Sequence, residues 1–127
     1  AQELAVVEPL WLARLENLWP APLTVVFPAR RPLPGSGNTV ALRVPALHLL
    51  RRLLVQVGPL TATSANRSGE PPAQRPEELR ELVPGLDLLL DGGTTTGGLP
   101  STLVDATTTP PRLLRQGAFP PPADWFT

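Results

Sequence analysis

The sequence predicts an α/β fold, a twisted open mixed β-sheet with flanking helices. Three observations carry that expectation. Short runs rich in Leu, Val, Thr and Phe alternate with segments of helical period. Prolines, 18 of 127 residues, cluster at 28–34, 71–76, 110–111 and 120–122, where they mark loops between elements. Apolar residues reach 42% and charged residues 17%, which is enough for a single buried core and too apolar for a disordered chain.

Each element has a local reason. Residues 4–7 form a short apolar run of strand type. Glu8 and Pro9 then open a helix to about residue 18, because proline suits the first turn and a carboxylate suits its positive end. Residues 23–27, Leu-Thr-Val-Val-Phe, have strong β preference, and 39–44 form a second such run. Pro45 starts a helix to Val57 that sends Leu49, Leu50, Leu53, Leu54 and Val57 inward and Arg51, Arg52 and Gln56 outward. Gly58-Pro59 ends it. Residues 60–63 read as a strand, 76–83 as a third helix, and the apolar run 86–90 as a buried strand closed by Asp91-Gly92-Gly93. Residues 102–105 and 112–115 supply the last two strands. Several strand-to-helix steps are irregular, which favours a mixed sheet over a doubly wound one. Residues 1–119 make one domain, and the Pro-rich residues 120–127 read as an extended tail.

Composition excludes much chemistry. There is no Cys, hence no disulfide, thiolate metal site or Cys nucleophile. One His cannot build a multi-His zinc site. All eleven basic residues are Arg, so there is no phosphate-loop lysine and no Schiff base. Eleven acidic residues balance them, so no general attraction to nucleic acid or anionic membrane is expected. No apolar run is of membrane-spanning length and no signal peptide precedes Ala1, which predicts a cytoplasmic protein with no membrane partner. Position 1 is not Met, so the chain is expected to be processed or cut from a longer one.

Some motifs weaken on inspection. Gly35-Ser36-Gly37-Asn38-Thr39-Val40 lacks the third glycine of a dinucleotide loop and precedes a strand where that loop must follow one. Asn66-Arg67-Ser68 fits a glycosylation sequon without any sign of secretion. Ser64 and His48 lack the context of a nucleophile and its base. The Gly/Thr-rich residues 91–98 read equally as a long turn and as a loop offering backbone N–H groups to an anion. Arg30-Arg31 and Arg51-Arg52 could form a patch for RNA, although solvated Arg pairs are the plainer reading.

Four polar sites then stand at strand ends beside Pro or Gly loops. They are Thr39 with Arg43, residues 63–69 (Thr-Ser-Ala-Asn-Arg-Ser-Gly), Ser101-Thr102, and Arg115-Gln116-Gly117. Strand ends in α/β sheets converge on ligand crevices. Guanidinium forks, hydroxyls and an amide suit recognition of carboxylate and phosphate, and none is a strong nucleophile. No catalytic residue and no metal ligand is assigned.

As an ordered set these segments resemble the YrdC-like family, the threonylcarbamoyl-AMP synthases of the YrdC and Sua type. The carriers are Leu18-Trp19-Pro20-Ala21-Pro22-Leu23-Thr24 (the family usually has Gly at the position of Ala21), Val40-Ala41-Leu42-Arg43-Val44-Pro45, residues 63–69, Asp91-Gly92-Gly93, Pro100-Ser101-Thr102-Leu103-Val104-Asp105 and Leu114-Arg115-Gln116-Gly117. The resemblance implies a YrdC-like fold and synthesis of threonylcarbamoyl-adenylate from L-threonine, bicarbonate and ATP with release of pyrophosphate. That product feeds the t6A modification of tRNA, so tRNA is an indirect partner. By motif match, Arg43, Ser64 and Ser101 would bind threonine, and Thr39, Asn66, Gln74 and Arg115 the nucleotide, with Mg2+ accompanying the triphosphate.

The family also has an N-terminal part of about sixty residues, half the scale of a small domain. It carries a Pro-Thr-Glu-Thr-type strand and a Lys-x-Arg-Pro segment that are not in this sequence. The chain is therefore expected to enter just after that region and to leave an open sheet edge. Three accounts stay open: the C-terminal part of an ordinary synthase, inactive alone; a nucleotide- or RNA-binding module without catalysis; and a sheet completed by another chain, through self-association at the open edge. A carbamoyl-transfer relative would bring zinc-finger and acylphosphatase domains that this Cys-free chain does not have.

Overall fold

The computed structural model describes residues 2–35 and 37–127. These form two compact units, Ala1–Gly58 with Leu99–Thr127, and Pro59–Gly98. The first contains α1 (Pro9–Leu18), β1 (Leu23–Leu33), β2 (Gly37–Leu42) and α2 (His48–Val57). The second contains α3 (Pro76–Leu82), and β3 (Thr102–Asp105), β4 (Arg112–Arg115) and a 3-10 turn (Ala123–Phe126) complete the first.

The four strands make one sheet in the order β2-β1-β3-β4. β1 pairs antiparallel with β2 and parallel with β3, and β3 pairs antiparallel with β4. The mixed α/β sheet read from the sequence is the fold observed. Alternation along each strand then sorts side chains to two faces. Leu23, Val25 and Phe27 of β1, Val40 of β2, and Thr102 and Val104 of β3 share one face and are buried. Helix α1 supplies Trp11 and Leu15 to that core. Trp11 stands edge-on to Phe27 (ring centroids 5.8 Å) and to Trp125 (4.9 Å). Full burial of one such side chain contributes about 1.5–3 kcal/mol.

Several expectations are corrected. Residues 4–7 are not a strand. A single bridge joins Ala5 to Ala29, flanked by Val6 N–H donating to Pro28 O and Arg30 N–H to Leu4 O. The 28–34 proline cluster is not simply a loop, because β1 runs through it to Leu33 with an irregular register between Pro28 and Leu33. Proline is tolerated at such a bulge, where the lost donor breaks no regular ladder. Helix α2 begins at His48 rather than Pro45, and none of its residues is buried. Leu50, Leu53 and Leu54 are half-buried, while Leu49 and Val57 are exposed rather than inward.

Residues 60–63 and 86–90 are not strands either. A strand needs a neighbour to take its N–H and C=O groups, and no strand occurs among the described residues of that unit. Finally, residues 120–127 are not merely an extended end: Trp125 is only 3% exposed and lies within the first unit's core.

Candidate functional site

The site residues of the first unit lie on the sheet face opposite α1. The β1–β2 ladder, with Val26 opposite Ala41 and Val25 opposite Leu42, ends at Leu42, and Arg43 is the next residue, at the Thr24 end of β1. On the other side of β1, Thr24 pairs with Leu103 and its Oγ1 lies 2.8 Å from Ser101 Oγ. Leu103 in turn pairs with Arg115, the last residue of β4. Arg43, Thr24, Ser101 and Arg115 thus form one row across the end of the sheet, one from each strand or the residue beside it. Thr39 shares the face four residues further along β2, opposite Pro28.

Backbone chemistry fixes half of this row. Arg115 donates from Nε and Nη2 to Ser101 O at 3.1 and 2.9 Å, with Nη2 also 3.4 Å from Ser101 Oγ. Its Nη1 makes no hydrogen bond among the described residues. The side chain of Arg43 is exposed and has no hydrogen bond or ion pair among the described residues. Two uncompensated guanidiniums on one face attract an anion.

The Ser101 and Gly117 motifs meet because of Thr102. Its buried hydroxyl donates to Phe119 O and accepts from the N–H groups of Gly117 (3.0 Å) and Phe119 (3.2 Å). Ala118 N–H donates to Pro100 O at 2.9 Å. A Cβ on Gly117 would fall 2.2 Å from Pro100 O and 2.5 Å from Ser101 C, so only glycine permits this approach. Asp105 closes the other end of β3. Its Oδ1 accepts from Thr107 N–H and Oγ1, and its Oδ2 from Arg112 at 2.9 Å. The Thr107 hydroxyl first, and the Arg112 guanidinium with it, hold this carboxyl below its usual range, although burial acts in the opposite direction. Arg112 is thereby neutralised and does not add to the anion-receiving charge.

Ser64, Asn66 and Gln74 belong to the second unit. Ser64 is exposed. Asn66 spends its amide on the turn, donating from Nδ2 to Arg67 O at 2.9 Å and Glu70 O at 3.0 Å. Its Oδ1 accepts no hydrogen bond among the described residues. Gln74 anchors the Gly/Thr loop: its carbonyl accepts from Thr95 N–H at 2.9 Å, and its side-chain amide lies over Gly97, where a Cβ would come 2.7 Å from Nε2. Gln74 N–H donates to Glu78 Oε2, and that bond first, then Arg75, lowers the Glu78 carboxyl.

Other candidates contribute less. His48 opens α2, fully on the surface. Arg51 donates from Nη1 to Pro45 O and Ala46 O, and Arg30 Nε to Gln2 O, so each Arg pair has one member committed to backbone. A cavity of about 370 Å³ lined by Trp11, Arg14, Phe27, Thr107, Asp124 and Trp125 contains none of the motif residues. Among the described residues no three of His, Asp or Glu converge to hold a metal ion. Among the described residues no helix is long and apolar enough to cross a membrane.

Sequence reasoning missed Thr24 as a site residue, although it stood within one of the quoted motifs. Its signal was a polar residue inside the apolar strand run 23–27, on the outward step of the alternation.

Comparison with known proteins shows the family and supports the fold. The family model for the Sua5, YciO and YrdC proteins, described as "Telomere recombination", matches residues 1–117. The chain belongs to the Sua5–YciO–YrdC family. It is 38% identical to the threonylcarbamoyl-AMP synthase of Pyrococcus abyssi over 111 residues, covering 83% of this chain and 33% of that protein. The corresponding enzyme of Coxiella burnetii strain RSA 493 is 41% identical over 110 residues, covering 80% of this chain and 58% of the relative. The chain thus spans between a third and three-fifths of the curated relatives it matches. Among solved structures, P. abyssi Sua5 complexed with L-threonine superposes with a TM-score of 0.80 at 37% identity, over 92% of this chain and 36% of that one. E. coli YciO, at 23% identity and a TM-score of 0.82 over 99% of this chain and 64% of that one, supports the fold.

Proposed function

We propose that this family member contributes the threonine- and adenylate-binding surface of a threonylcarbamoyl-AMP synthase. The carrying observation is the row Arg43–Thr24–Ser101–Arg115 on one sheet face, in a chain similar to a protein solved with L-threonine. In this reading Arg43 receives the threonine carboxylate, with Ser101 and Ser64 as further threonine contacts. Thr39, Asn66, Gln74 and the free Nη1 of Arg115 serve the nucleotide, and Mg2+ accompanies the triphosphate.

The chemistry fits groups that bind without attacking. Threonine's amine and bicarbonate give a carbamate and water. A carbamate oxygen then forms a bond to the α-phosphorus of ATP as the bond to pyrophosphate breaks. No enzyme nucleophile is needed, and holding the reactants in line and neutralising phosphate charge supply the acceleration. The product would serve t6A modification of tRNA in the cytoplasm.

A second reading is a binding module without turnover. It is favoured by the charge on the described face, where Arg43 and Arg115 are the unpaired guanidiniums and Arg112 is spent on Asp105. One calorimetric and kinetic series decides. L-threonine and Mg·ATP are titrated into the chain, and pyrophosphate release dependent on threonine and bicarbonate is followed. Arg43→Ala should weaken threonine at least tenfold, as expected for a hydrogen bond to a charged group. Binding without release selects the module, and heat from neither ligand removes both readings.

A further inference from the structure

We propose that Thr24 is a positioning residue of the amino-acid subsite, holding Ser101 so that the hydroxyl pair presents one O–H to the ligand's carboxylate. This rests on the threonine reading above and deepens it. The two oxygens are 2.8 Å apart across β1 and β3, 77 residues apart in sequence, and either can be the donor. Two hydroxyls hold two protons and their mutual bond uses one, so one remains for an acceptor outside the pair. Arg115 Nη2, 3.4 Å from Ser101 Oγ, can only donate, so it cannot receive that proton. The remaining O–H is left for a ligand over the sheet face.

Strand order bounds where that ligand sits. Arg43 follows the last β1–β2 pair, Val25 with Leu42, on one side of Thr24, and Ser101 is bonded to Thr24 from β3 on the other, so Thr24 stands between the two. A carboxylate held there has one oxygen toward the Arg43 fork and the other toward the hydroxyl pair. An unpinned Ser101 hydroxyl can rotate away from that position, and a valine at 24 leaves it unpinned. Cross-strand Thr–Ser bonds can also serve only to join strands, and that role would change stability without selecting between ligands.

The test is calorimetry of L-threonine and of Mg·ATP on the wild-type chain and on Thr24→Val, Thr24→Ser and the Ser101→Ala and double variants, with thermal melting of each. Thr24→Ala replaces Thr24→Val if the valine variant does not fold. Thr24→Val is expected to weaken threonine about tenfold, the size of one lost hydrogen bond, and to leave ATP within about twofold. Thr24→Ser should restore threonine binding, and Thr24→Val should add nothing in the Ser101→Ala background. Unchanged threonine affinity, equal losses for threonine and ATP, failure of the serine rescue, or additive losses in the double variant each overturn the proposal. A wild-type chain that binds no threonine overturns the functional reading and this role with it. A wild type that binds, paired with an unaltered Thr24→Val, overturns this role alone.

Discussion

The two units use similar sequence and reach different order. In the first, residues 23–27 and 102–105 are apolar runs that pair with each other and with two further strands, and Leu23, Val25 and Val104 are fully buried. In the second, 60–63 and 86–90 are just as apolar, yet they remain unpaired, with Leu60, Leu88 and Leu90 more than half exposed. Hydrophobic content is equivalent, and what differs is the presence of a strand to receive the backbone. The contrast extends to the site residues. In the first unit Ser101 and Arg115 are locked to neighbouring strands, whereas in the second Asn66 holds its own turn.

The sharpest way to break this contrast is at Gly117. Gly117→Ala drives a Cβ into the Pro100–Ser101 backbone, and overpacking of that kind costs about 3 kcal/mol or more when the neighbour is main chain. A large drop in melting temperature and loss of threonine binding are expected, with NMR amide shifts of residues 59–98 little changed. A wild-type melting temperature would mean that the close approach is relieved in solution. Of comparable size, Phe27→Ala should cost about 3–5 kcal/mol, while Leu88→Ala should stay within about 0.5 kcal/mol because that side chain is 72% exposed. Denaturant unfolding of both checks this. An equal cost would show that residues 86–90 are covered.

A smaller effect concerns the open strands. β2 and β4 are the outer strands of the sheet among the described residues, and every residue of β4 is exposed. Unpaired strand edges template further pairing, so mass by light scattering is expected to rise with concentration. A constant monomer mass would contradict self-pairing at these edges. The smallest effect is acid sensitivity at Asp105. Its folded pKa lies below the ordinary 3.8, so its stabilisation is present above that value and is lost as pH falls through the folded pKa. Asp105→Asn should flatten the stability profile below about pH 4 while leaving the first unit folded at neutral pH. An unchanged profile would place the acid response elsewhere.

Local sequence alone determined the types of most elements and the chemistry of the site. Pro9 at a first helical turn, the Pro76-Glu77-Glu78 start of α3, and the β-prone runs at 23–27, 102–105 and 112–115 follow from propensities that act within a few residues. The residue types of Arg43, Ser101 and Arg115 likewise point to the anion-binding surface proposed above. Three matters were decided only in the tertiary structure. A leucine run becomes a strand only beside another strand, which is why 60–63 and 86–90 read as strands in the sequence and are not strands in the structure. Thr24 meets Ser101, the contact behind its proposed role, only because parallel pairing brings that residue to it from 77 positions away. Trp125, in what reads as a solvated tail, is buried only because Trp11 and the core receive it. Each depends on contacts between segments distant along the chain, and no local periodicity encodes which segments will meet.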